Sequence, residues 1–124
     1  MRHQVAKTYA AEAAITPRRI VKHGAADGGV INSAAAADKH AGVADSRGAA
    51  AAGDAVDIYK SGTVEVEYGG NVTRGDPLTS DAVGRAITAA PAAGANVRIV
   101  GFAEVSGVLG DIGEVDLKPS VMQG

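Results

Sequence analysis

The sequence predicts an all-β fold, a small β-barrel or β-sandwich of short strands joined by Gly/Ala-rich loops. Three observations carry this. Fifteen Val and seven Ile stand against only three Leu, and β-branched side chains, stiff at χ1, suit strands better than helices. From Thr63 to Tyr68 the chain alternates strictly, with Val64, Val66 and Tyr68 on one face and Thr63, Glu65 and Glu67 on the other, the period of a half-buried strand. Seventeen glycines punctuate the apolar runs and keep them short.

The elements follow in order. In Lys7–Ile15 alanine and glutamate favour helix, whereas Tyr9, Ala11, Ala13 and Ile15 alternate; Thr16-Pro17 disfavours helical geometry, and the segment is assigned as a strand. Arg18–Lys22 is a second strand stopped by Gly24, and Asp27-Gly28-Gly29 is a tight turn into a return strand at Val30-Ile31. Asn32–Ala41 admits either one or two helical turns behind a Ser33 cap or a loop. Gly42–Ala44 and Ala55–Tyr59 are strands separated by a Gly/Ala-rich loop, and Val56 and Ile58 share a face. The alternating strand ends at Gly69-Gly70. Arg74-Gly75-Asp76-Pro77 and Asp81–Gly84 are turns around the short run Leu78–Ser80, and Ala86-Ile87 begins another strand. Ala89–Asn96 is a loop, Val97–Val100 a strand followed by Gly101–Val105, and Glu114–Leu117 the last strand before Pro119. One β domain is expected over residues 7–118, with residues 1–6 and 119–124 as tails.

An internal similarity appears at an offset of 59 residues. Gly42-Val43-Ala44-Asp45 matches Gly101-Phe102-Ala103-Glu104, Gly48 matches Gly107, and Val56-Asp57-Ile58 matches Val115-Asp116-Leu117. Two related β units packed on each other, with pseudo-twofold character, are the expectation. The core is thin, with one Phe, three Tyr, no Trp and much alanine. At roughly 25 cal/mol per Å² of buried apolar area, such a core stabilises a lone monomer weakly, so self-association or docking onto something larger is expected.

Net charge is −2 but unevenly distributed. Residues 1–23 carry Arg2, Lys7, Arg18, Arg19 and Lys22 against Glu12, while the remainder is acidic. A basic leading segment on an acidic body fits a docking edge for an acidic partner.

The chemistry-bearing patterns are absent. His3, His23 and His40 lack metal-ligand spacing, and no cysteine provides thiolate, disulfide or cluster chemistry. Asp57 with Glu65 or Glu67 reads as outward acids rather than a catalytic pair. Ser106-Gly107 lacks the nucleophile-elbow glycines, and Gly107–Gly113 has the wrong spacing for a dinucleotide loop. Few aromatics and an acidic body argue against nucleic acid. No apolar run of membrane-spanning length and no signal-peptide core are present, so the expectation is a chain made in the cytoplasm with no membrane partner. No catalytic, cofactor-binding or metal residue is assigned.

Taken together, several runs resemble the cement or decoration proteins that coat tailed-phage capsids. These are Thr8–Thr16 running into Arg19–Lys22, Gly42–Asp45, Ala52–Ile58, Ser61–Val66, the distinctive Gly75-Asp76-Pro77-Leu78-Thr79-Ser80-Asp81, Val100–Ala103 and Gly110–Val115. The resemblance spans residues 7–118 in order. It implies a compact β fold acting as a homotrimer on the outer capsid surface. There it bridges major capsid protein subunits and reinforces the shell, with no active site and no cofactor. It departs from the family pattern at Tyr9, where a smaller residue is usual, and at Arg18-Arg19, where a glycine turn is frequent. Arg2, His3, Lys7, Tyr9, Arg18, Arg19 and Lys22 are the candidate capsid-contact residues. The alternative, a small-ligand or carbohydrate-binding β domain, rests on Tyr9, Tyr59 and Tyr68 as platform residues.

Overall fold

A computed structural model describes residues 4–124. Its strands are β1 (Val5–Ala11), β2 (Ile20–His23), β3 (Gly29–Asn32), β4 (His40–Ala44), β5 (Ala55–Glu67), β6 (Pro77–Ser80), β7 (Ala86–Thr88), β8 (Asn96–Ala103) and β9 (Ile112–Gln123). No helix occurs among the described residues. The fold is all-β, and five strands close into a barrel.

Closure follows from the pairing. β1 runs parallel to β3 (Ala10↔Gly29) and antiparallel to the first half of β5 (Tyr9↔Val56). β3 pairs with β2, β2 with β4, and β4 with β5, which returns the sheet to β1. The second half of the chain repeats this succession. β5 pairs with β9, β9 with β8, β8 with β6 and β6 with β7, while a parallel contact Tyr68↔Ala86 stands where β1 met β3. The expected pair of related units is therefore present at the level of strand order, with β5 shared between them.

Each unit has its own core. Tyr9, Ile15, Val21, Val30, Val56 and Ile58 belong to the first, and Val64, Val66, Tyr68, Leu78, Val100 and Val115 to the second. Tyr68 is fully buried, as its place in the alternation implied. Ile20 and Val43, on β2 and β4, point away from the first core and pack into the second. The units are further tied by Ile20 N–H to Gly84 O (2.7 Å), Glu67 N–H to Arg18 O (3.0 Å) and Arg98 N–H to Ala36 O (2.9 Å).

Strand extents differ from expectation. β1 runs Val5–Ala11 rather than Lys7–Ile15, β2 runs Ile20–His23 because Arg18 and Arg19 belong to the turn before it, and three further strands are longer than expected. Ala55–Tyr59 and Thr63–Tyr68, read as separate strands, are one 13-residue strand that bends where β1's register shifts between Val5 and Ala6. Val97–Val100 and the run after Gly101 are likewise one strand. β9 continues through Pro119 to Gln123, because that half pairs only with β8 and its outer edge asks nothing of the missing proline N–H. Asn32–Ala41 takes the loop alternative. Ser33 bonds the His40 ring (Oγ to Nδ1, 2.8 Å) instead of capping a helix, and the Asp38 carboxylate accepts from the Ala34 and Ala35 N–H groups.

Candidate functional site

Arg2 and His3 lie outside the described residues. The remaining members of the basic leading segment are spread around the first unit, and most have internal partners. Lys7 on β1 is exposed, its Nζ 5.1 Å from the centroid of the Tyr9 ring. Tyr9 itself is buried in the first core, its hydroxyl accepting from Lys60 Nζ at 3.0 Å. It therefore contributes a cation–π platform to Lys7 and Lys60 from below the surface rather than a surface of its own.

Arg18 and Arg19 sit on the turn leading into β2, at the seam between the units. Arg19 donates from Nε and Nη2 to Glu67 Oε1 (3.2 and 3.1 Å) and from Nη1 to Val83 O (2.9 Å). Arg18 Nε lies 3.6 Å from Glu65. Lys22 pairs with Asp38 at 3.5 Å. Glu12, the lone acid of the segment, accepts from the Ala25 and Ala26 N–H groups in the β2–β3 turn, which hold its carboxyl below the usual range.

Glu65 and Glu67, expected as outward acids, are thus the anchors of the arginine pair. The face they occupy is acidic. Glu65 stands directly opposite Glu114 on β9, Asp116 lies further along that strand, and Glu104 follows β8. Arg18 and Arg19 lie against this face, and Lys118 pairs with Asp116 at 3.3 Å. His40, Lys60 and Arg98 line a groove of about 380 Å³ between the start of β4 and the free ends of β8 and β9. Burial holds the His40 imidazole below its ordinary pKa, with Asp38 opposing and Arg98 and Lys22 adding to the effect.

Among the described residues the acids considered as a pair do not converge. Asp57, Glu65 and Glu67 all lie on β5; Asp57 accepts from Thr8 Oγ1 (2.7 Å), and the two glutamates hold arginines. Among the described residues no three His, Asp or Glu side chains converge as metal ligands would. Tyr9 and Tyr68 are inside the two cores and Tyr59 is half-buried, so the three tyrosines form no carbohydrate platform. What the molecule presents is surface, with much of its charge paired within the chain.

The fold defines a class: a small β domain of two related units that share one strand. The sequence matches the phage cement protein model over residues 1–109. The chain belongs to the phage cement protein family. No curated protein matches it. Among solved structures it is similar to the crystal structure of the head fiber gp8.5 N base of bacteriophage phi29. The TM-score is 0.70 at 17% identity, covering 94% of this chain and 95% of that one, a likeness of fold. The chain is a structural protein with a capsid-associated role, as the resemblance in its sequence implied.

Proposed function

We propose that this protein decorates the outer surface of a phage head as a homotrimer, bridging neighbouring major capsid protein subunits and reinforcing the shell. The family match over residues 1–109 carries the reading. The proposed work is binding alone, with no reaction and no cofactor. Many copies each bury modest area across seams between subunits, and polyvalent attachment resists shell opening without tight single contacts.

Within this reading the contact edge is the basic leading segment: Arg2, His3, Lys7, Arg18, Arg19 and Lys22, with Tyr9 supporting Lys7 from beneath. Electron cryo-microscopy of the protein mixed with expanded capsids tests the whole reading. Density at threefold or quasi-threefold positions is expected, and bare shells would overturn it. Residue-level tests belong on Arg2 and Lys7, since reversing Arg19 would set a new carboxylate against Glu67 and disturb the fold. Removing residues 1–3, or Lys7→Glu, should lower capsid occupancy and make the remaining binding less sensitive to salt. Unchanged occupancy would discard this edge and leave the capsid role standing.

A further inference from the structure

We propose that copies of this chain associate head to tail, the Val105–Asp111 loop of one copy seating in the groove between β4 and the β8–β9 ribbon of the next. This deepens the self-association in the reading above and does not depend on the capsid.

The loop supplies the first half of the argument. It joins β8 to β9 and exposes a run of large apolar side chains, Val108 at 55% and Leu109 at 60%, flanked by Val105 and Ile112. The fold does not require them. The matching turn of the first unit, Ala51-Ala52-Gly53-Asp54, closes through the same bond (Ala51 N–H to Asp54 Oδ2, 3.1 Å) as Val108-Leu109-Gly110-Asp111 (Val108 N–H to Asp111 Oδ2, 3.0 Å), and does so with alanines. The second loop is also held in shape. The Tyr68 hydroxyl donates to Val105 O (2.7 Å), and the Tyr68 backbone exchanges bonds with Gly110 and Asp111 (2.9 and 2.8 Å). A rigid apolar knob loses little entropy on docking, which is what a contact surface needs.

The groove supplies the other half. Its apolar lining includes Ile99, Pro119 and Val121, the last 62% exposed, and its exposed cation is Arg98, Lys60 being held by the Tyr9 hydroxyl and Ala41 O. The knob is bounded by Glu104 and Asp111, and the acidic face of β5 and β9 lies behind it. Apolar surface meets apolar surface and the charges are of opposite sign. Knob and groove occupy opposite ends of the β8–β9 hairpin, separated by roughly 25 Å at ~3.3 Å per residue, so a chain does not fill its own groove. The occupant is a second copy, and a heterologous contact of this kind closes into a ring when the rotation between copies allows it, as the homotrimer of the reading above requires.

The test uses native mass measurements in solution, without capsids. Leu109→Asp disables the knob, and Arg98→Glu with Val121→Asp disables the groove; all three positions are exposed. Each variant alone should weaken self-association at least tenfold. A one-to-one mixture should form dimers and nothing larger, since one intact knob meets one intact groove. A wild-type chain that stays monomeric, variants that still assemble, or a mixture that does not pair would each overturn the proposal. The chain has no cysteine, so Leu109→Cys with Ser120→Cys gives a second readout that is insensitive to a folding defect in the charge variants. Oxidation should produce covalent rings, and a product that stays monomeric would count against head-to-tail contact.

Discussion

Arg18 has φ of 57°, the sole positive value among the described non-glycine residues. It occupies the third place of Thr16-Pro17-Arg18-Arg19, a turn that begins just after the Ile15↔Ala49 contact. In the second unit Thr73-Arg74-Gly75-Asp76 begins just after Val72↔Gly107, and there the third place is Gly75, with φ of 93°. A side chain in the left-handed region costs roughly 1–2 kcal/mol, and the exposed pair with Glu65 returns about 0–1 kcal/mol. Arg18→Ala keeps the strain and removes the pair, whereas Arg18→Gly removes both. In urea unfolding the glycine variant should be more stable than the alanine variant by about 1 kcal/mol; equal stability would mean that the turn is unstrained. The departure at 18–19 was visible in the sequence, but its partners were not, because Arg19 and Glu67 are 48 residues apart and only barrel closure brings them together. His40 gives a pH test at the same scale. Its folded pKa lies below 6.5, so the unfolded chain binds the extra proton first. Stability is then full above 6.5 and declines as pH falls through the window down to the folded value. His40→Asn should flatten that part of the stability curve, and an unaltered slope would place the proton uptake elsewhere.

At the scale of elements, what the sequence made legible was alternation, and what it hid was continuity. Val64, Val66 and Tyr68 announced a strand with one buried face, and they form it. Gly24 and Gly69-Gly70 follow the ends of β2 and β5, as their runs implied, but Gly101, which separated two runs in the sequence, does not end a strand. Gly101 lies within β8, where the register against β9 shifts between Ile99 and Gly101. A Cβ there would run into the Asp116 carbonyl oxygen, and one on Gly42 would run into that of Tyr59. The matched glycines of the two units are thus sites of close backbone approach, a reason for glycine that local pattern does not distinguish from a turn. Gly42→Ala and Gly101→Ala should each cost about 2–4 kcal/mol, measured by denaturant unfolding, because backbone atoms have no rotamer with which to yield. A cost under ~0.5 kcal/mol at either position would show that the strands separate without penalty. The candidate contact residues were legible as a charge run and no further. Composition located the basic segment, but whether each cation faces solvent or an internal carboxylate depends on which strands lie beside it.

For the whole molecule, the shared β5 and the two crossing side chains decide whether the units unfold together. Each core is small and each contains one buried tyrosine, Tyr9 in the first and Tyr68 in the second, with half-buried Tyr59 packed against the second. Were the units independent, each would be near the margin of stability for its size. Ile20 and Val43 prevent that by extending from first-unit strands into the second core, so opening one unit strips apolar cover from the other. Unfolding should therefore be a single transition, with van't Hoff and calorimetric enthalpies in agreement. With Tyr59→Phe in both, the tyrosine probes should report the same midpoint when Tyr9→Phe and Tyr68→Phe variants are compared, each retaining one reporter of a core. Ile20→Ala, which removes the contact from the seam, should cost about 2–5 kcal/mol and lower both reporters together. If only the Tyr68 signal moves, the units are separable, and a protein proposed to bridge a shell would transmit load through a hinge. In the proposed role coupling is the useful outcome, because tension applied between two capsid contacts then meets the stability of the entire β body rather than that of its weaker half.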